Sequence, residues 1–173
     1  MELIRGLLKN NSNFYKEEYV MPQVIEKADI SSYIGHECEP TEWFEVTQDQ
    51  VNQFADCTLD HQFIHIDPVA AAQTPFGGTV AHGFLTLSML SHFSSQYNLV
   101  INGITFGVNK GFDKVRFVAP VRVGSKIRCH AKIKSIVEKR PGQFDFIMDL
   151  SVEIEGQEKP ALVAEWLTVQ FAS

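Results

Sequence analysis

Between residues 79 and 97 the chain carries an apolar run that leaves no charged face. Val80, Phe84, Leu85, Leu87, Met89, Leu90 and Phe93 occupy all sides of a helix, and the polar positions among them are mostly small hydroxyls: Thr86, Ser88, Ser91, Ser94 and Ser95. A helix apolar nearly all round must be enclosed by other elements, and its hydroxyls can bond the preceding turn. The enclosing elements follow downstream. Ile127, Cys129, Ala131 and Ile133, then Val137, stand between Lys126, Arg128, His130, Lys132 and Lys134. After a Pro141-Gly142 turn, Phe144, Phe146, Met148, Leu150, Val152 and Ile154 are opposed by Asp145, Asp149, Glu153 and Glu155. Period-two patterning of this length predicts half-buried antiparallel strands. A basic outer face beside an acidic one favours their pairing. Strands over 112–118 and 161–171 complete an α+β architecture, one helix wrapped by one antiparallel sheet.

The rest of the chain is organised around that unit. Residues 1–37 read as an N-terminal extension, with Leu3, Ile4, Leu7 and Leu8 on one helical face, suited to packing on the body or on a partner subunit. Residues 38–173 read as a single domain, which suits a chain of 173 residues. Thr47 and Gln50 form a capping box ahead of Val51, Phe54 and Ala55. Asp67-Pro68 opens another short helix, with Asp as cap.

Composition excludes several classes. The net charge is −6, with no basic block, which argues against nucleic-acid or anionic-membrane partners. No apolar run is long enough for a membrane span, and no signal peptide is legible. Three scattered cysteines, Cys38, Cys57 and Cys129, suit reduced thiols in a cytoplasmic protein and give neither a disulfide framework nor a zinc spacing. The 13 Phe residues are expected mainly in the core, with some lining an apolar slot.

The densest ionisable cluster is Asp60-His61-Gln62-Phe63-Ile64-His65-Ile66-Asp67, and His82-Gly83 follows at the start of the buried helix. A carboxylate and an imidazole converging on one water can orient it and move its protons. A free N–H at a helix N-terminus can polarise a carbonyl oxygen, and glycine lets that carbonyl approach. These are the parts for adding water to an activated acyl group or removing it. Taken singly, Asp60 reads as a loop or cap carboxylate, Asp67 as a cap, His61 as a solvent neighbour, and Ser88 and Ser91 as self-satisfied hydroxyls. Metal binding by His61, His65 and Asp67 lacks a fourth ligand.

Asp60, His65 and Asp67, followed by Phe76-Gly77-Gly78-Thr79-Val80-Ala81-His82-Gly83, resemble the MaoC-like dehydratases, or (R)-specific enoyl-CoA hydratases, and most of all their nodulation-protein-N-like branch. The similarity runs from about Trp43 to Phe171 and includes Val115-Arg116-Phe117-Val118-Ala119-Pro120-Val121 followed by Gly124. The resemblance implies a hot-dog fold, a long helix wrapped by a curved antiparallel sheet, assembled as a homodimer or higher homo-oligomer. It implies a catalytic dyad of Asp60 and His65, a thioester-binding N–H at Gly83, an acyl-CoA substrate, and no metal or redox cofactor. Gln62, His82, Ser88 and Ser91 are candidates for site support. Two departures stand out: Gln62-Phe63 replaces the commoner Asn-Pro, and Cys57-Thr58-Leu59 precedes Asp60 where a small residue and Gly are frequent.

Two other functions remain open on the residues. A hot-dog acyl-CoA thioesterase would place a carboxylate on the central helix, and 83–97 has none. A non-catalytic acyl-thioester-binding or interaction subunit would not need the Asp60/His65 pair. Because CoA is an anion, an acidic chain needs local positive charge to bind it. Lys110, Lys114, Arg116 and Arg122 are the candidate phosphate contacts, unless they pair with the acidic strand beside them.

Overall fold

The computed structural model describes residues 23–97 and 99–173. The candidate helical face of Leu3, Ile4, Leu7 and Leu8 lies outside the described residues. The chain enters through strand β1 (Gln23–Ile25), a 3-10 turn (Lys27–Tyr33) and strand β2 (Phe44–Glu45). Helices α1 (Gln48–Thr58), α2 (Phe63–Ile66) and α3 (Pro68–Ala71) follow, then the central helix in two pieces, α4 (Gly83–Ser88) and α5 (Leu90–Ser94). Strands β3 (Leu99–Ile101), β4 (Ile104–Phe117), β5 (Lys126–Arg140), β6 (Gln143–Ile154) and β7 (Leu162–Ala172) complete it.

The main sheet has the order β2-β5-β6-β7-β4, every pair antiparallel. Its inner face is the alternating set read from sequence. Ile127, Cys129, Ile133, Phe144, Val152 and Leu162 are buried there against Leu90 and Phe93 of α5. This is the expected hot-dog arrangement, a curled antiparallel half-barrel holding a helix. Its outer face pairs charge as expected: Arg128 reaches Glu153 at 2.6 Å, and Lys134 reaches Glu165 at 2.6 Å. Among the described residues no helix is long and apolar enough to cross a membrane.

Three local expectations are corrected. The alternation of β5 does not reach Val137, which is 41% exposed. The register against β6 slips between Ile133 and Ser135, and Ile136 takes the inward position instead. One extra residue in a strand swaps the faces of all that follow. The central helix begins at Gly83 and not at Thr79. Residues 79–81 are extended and bond 121–123: Ala81 N–H donates to Val121 O at 2.8 Å and Val123 N–H to Thr79 O at 3.0 Å. Nor is that helix enclosed on every side. Phe84 is 67% exposed, and Ser88, Ser91 and Ser95 share its open face. Phe63, Phe106 and Phe117 are also exposed, so the phenylalanines divide between core and surface.

The expected capping box is present in full. Gln50 N–H donates to Thr47 Oγ1, and Thr47 N–H donates to Gln50 Oε1 at 3.0 Å. Because α1 launches the loop that carries Asp60, this cap supports the site indirectly. Replacing Thr47 by Ala should cost about 1 kcal/mol in a denaturant titration, with no change in the slope.

Candidate functional site

The candidate site forms where the end of α1, the single turn of α2 and the first residue of α4 meet. Helix α1 stops at Leu59, which takes the left-handed conformation with φ 62° and turns the chain into Asp60. Three residues after Asp60 α2 begins, and His65 N–H donates to Gln62 O at 2.9 Å. So short a helix has little stability of its own. It is held from outside: Val80 N–H donates to Ile64 O at 3.0 Å, and His65 Nδ1–H donates to Val80 O at 2.6 Å. Gln48 of α1 adds a third tie, with its Nε2 donating to His65 O at 2.7 Å while Thr79 Oγ1 donates to Gln48 Oε1 at 2.7 Å.

These ties settle the state of His65. Its Nδ1 faces a carbonyl, which only accepts, so Nδ1 carries the hydrogen and Nε2 keeps a lone pair. The ring is 7% exposed. Burial pushes its pKa below the ordinary histidine value, and the neighbouring His82 adds to that, while the Val80 carbonyl and Asp60 oppose it. The neutral imidazole is therefore the favoured form. The His82 ring stacks on it, with centroids 3.7 Å apart and planes at 25°. Ligand atoms of Asp60, His65 and His82 all lie within 4.8 Å of one another. Stacked rings direct their in-plane lone pairs side by side, so both cannot converge on one cation. The cluster suits proton handling better than chelation.

Gly83 opens α4, where the first-turn N–H groups have no partner inside the helix. A Cβ at Gly83 would lie 3.1 Å from the Phe117 ring. Glycine here is thus a matter of close approach, and Phe117 walls one side of the candidate carbonyl seat.

The other sequence candidates are placed as follows. His61 bonds Asp56 at 2.9 Å on the surface, and Asp67 caps α3 by accepting from Val69 and Ala70 N–H, so neither joins the cluster. Gln62 contributes its carbonyl to the start of α2, and its side chain is exposed. Ser88 Oγ donates to Phe84 O at 2.8 Å on the open helix face, and Ser91 is exposed there too, its carbonyl accepting from Ser94 Oγ. The Ser88 hydroxyl is thus turned to its own helix and not to Asp60 or His65. Lys110 pairs with Asp145 at 2.7 Å and Lys114 with Glu165, so these two cations are engaged by the neighbouring strands. Arg116 bonds the Val115 carbonyl, and Arg122 packs over Gly77, whose Cβ would stand 2.9 Å from its Nη2. Among the described residues neither arginine has a carboxylate partner within 4.0 Å.

Sequence reasoning missed Gln48, Thr79 and Phe117. Gln48 and Thr79 act across 17 and 31 residues, and no local pattern announces such contacts. Along the central helix lies a crevice among Phe44, Val46, Leu85, Met89 and Ile127, with about 10 Å³ of free volume. A larger cavity of about 320 Å³ lies beyond the far end of the central helix, among Ser94, Tyr97, Leu99, Met148 and Trp166. It is remote from the dyad: Gly83 to Ser94 is about 16 Å of helix.

Comparison with known proteins gives consistent results. The family model described as "MaoC like domain" matches residues 29–152. The chain is 42% identical over 146 residues to Nodulation protein N of Rhizobium meliloti, covering 84% of this chain and 91% of that protein. It is 42% identical over 138 residues to 3-hydroxyacyl-thioester dehydratase Z of Mycobacterium tuberculosis, covering 80% and 91%. A crystal structure titled monoamine oxidase regulatory protein, from Archaeoglobus, superposes with a TM-score of 0.72 at 23% identity, covering 89% of this chain and 99% of that one.

The state of His65 has a measurable consequence. Its imidazole should titrate below about 6.5, the ordinary histidine value. Because the unfolded chain takes up that proton first, its contribution to stability is complete above about pH 6.5 and is lost as pH falls through the folded value. Imidazole shifts by NMR and denaturant titrations at several pH values check both.

Proposed function

Since this chain belongs to the MaoC-like domain family, we propose that it hydrates trans-2-enoyl-CoA to (R)-3-hydroxyacyl-CoA, or runs the reverse dehydration, with Asp60 and His65 as the dyad. The observation that carries this reading is the convergence of the Asp60 carboxylate and the His65 ring beside the first turn of α4. Both groups are acceptors toward a water between them. Such a water donates its two hydrogens to the dyad and turns an oxygen lone pair outward, toward the substrate.

In hydration, Asp60 takes the proton as the water oxygen bonds to the β-carbon. The electron pair of the double bond moves toward the thioester carbonyl, whose oxygen gains charge at the Gly83 N–H. That contact contributes about 3 kcal/mol at sites of this kind. The proton is then relayed through the dyad to the α-carbon on the same face, and the enolate collapses. Protons and electrons balance without any group from outside the chain and substrate. Dehydration follows the same steps backwards.

In this reading residues 38–173 form the catalytic unit and 1–37 an extension. Its last part is laced to the unit: Ile25 is buried in the core, and Gly35 N–H donates to Ile133 O at 2.8 Å. The unit pairs with a second copy. Support for this comes from β4, a 14-residue edge strand that exposes Phe106, Val108 and Phe117, because long apolar edges need cover. Arg122, which has no carboxylate partner among the described residues, is the favoured contact for the CoA phosphates.

Replacing Asp60 by Asn, or His65 by Gln, should each lower crotonyl-CoA hydration at least about 100-fold, followed by loss of the conjugated-thioester absorbance. Near-normal turnover in either variant overturns the dyad, and release of free thiol by the wild type points to the thioesterase reading instead. Replacing Arg122 by Gln should raise KM for the CoA thioester several-fold, about 1 kcal/mol of screened charge contact. KM for the phosphate-free N-acetylcysteamine thioester should not change.

A further inference from the structure

The hydration scheme leaves the buried imidazole of His82 unused. His82 is 3% exposed, stacks on His65 and packs against the Phe54 ring at 5.0 Å. Its Nε2 lies 3.0 Å from the main-chain oxygen of Asp60. A carbonyl only accepts, so Nε2 carries the hydrogen. In that tautomer His82 Nδ1 is the acceptor, and among the described residues it is buried with no hydrogen-bond partner. A buried acceptor left unsatisfied costs about 1–3 kcal/mol. A phenylalanine at this place would stack and avoid that cost, so the ring is a poor choice for packing alone.

The other half of the observation lies on Asp60. The residue before it, Leu59, holds φ 62° and ψ 21°, and its side chain is largely in solvent. The left-handed region disfavours a residue with a Cβ by about 1–2 kcal/mol, and no burial of the Leu59 side chain offsets this. A left-handed residue is a common helix end, but glycine is the usual occupant, so Leu59 leaves the turn into Asp60 with a cost that other contacts must offset. The Asp60 side chain is exposed, so packing does not fix it either. The bond from His82 fastens the residue from across the site, 22 positions along the chain.

We infer that His82 is a positioning residue: its Nε2–H grips the Asp60 carbonyl, opposes the strain at Leu59, and so holds the carboxylate against the His65 ring. The anchor of the grip is rigid. Ala81 is bonded to Val121, and the His82 carbonyl accepts from Thr86 N–H at 3.2 Å. One residue therefore joins the general base to the helix N-terminus at which the thioester carbonyl would sit. The inference rests on the proposed hydratase chemistry for its kinetic consequence, but not for the grip itself.

The test compares two replacements. His82→Phe keeps a ring on His65 and removes the donor. His82→Asn shortens the side chain and keeps an N–H. The Phe variant should lower kcat for crotonyl-CoA by about 10- to 100-fold with KM nearly unchanged. Asn should recover a large part of that loss, and adding Leu59→Gly to the Phe variant should recover part as well, by relieving the strain. A Phe variant with wild-type kcat overturns the inference, as does one whose loss is matched by Asn and untouched by Leu59→Gly. A lowered melting temperature with unchanged kcat would assign His82 to packing and also overturn it. Nitrogen-15 spectra of the wild type give a readout free of activity. They should show His82 with its hydrogen on Nε2, and an Nε2 without a hydrogen overturns the grip. If the wild type hydrates no enoyl thioester, the proposed function falls, and the nitrogen spectra still decide the grip.

Discussion

Two hydrogen bonds at Val80 hold this architecture together. Its N–H and C=O both point at the turn 64–65, one to the Ile64 carbonyl and one to the His65 ring. Val80 therefore acts as a strand residue toward α2 without a strand partner there. On its other side the same short run pairs with 121–123, next to the main sheet. A four-residue helix that could not persist alone is thereby fixed to the sheet. Without these bonds His65 would lose its orientation and its tautomer together.

The fold was legible where periodicity governs it. The six inward residues of β6 are the six that alternate in the sequence, and all are buried. Periodicity failed where geometry is decided by a neighbour. The bulge in β5 is set by pairing against β6, so nothing near Val137 announces it. The run 79–81 has helix-compatible residues, yet its backbone groups find sheet partners at 121–123, and the helix begins only where those partners end. The length of β4 was underestimated for a related reason. As the edge strand it shows little alternation in burial, and Gly107 and Gly111 interrupt the pattern.

The site was legible in its candidate groups and illegible in their supports. Asp60, His65 and Gly83 stand at spacings that a reader of sequence can recognise, and the structure brings the first two together. The supports reach across space from unremarkable positions. Gln48 reads as an ordinary first-turn residue of α1, and Thr79 as the start of a helix. The charge map divided in the same way. The acidic strands pair with Lys110 and Lys114, whereas Arg122 lies outside the sheet strands and packs over Gly77.

The atoms that seize this site are largely main-chain oxygens: those of Asp60, Gln62, Ile64, His65 and Val80 each accept a hydrogen bond in or beside the cluster. Every amino acid owns a carbonyl. Side chains at Leu59, Gln62 and Phe63 can therefore drift in descent while the hydrogen bonds persist, and a lineage could rewrite the letters around its dyad yet inherit the same framework. At Gln62 the framework uses the main-chain carbonyl, so Gln in place of Asn leaves that hydrogen bond available.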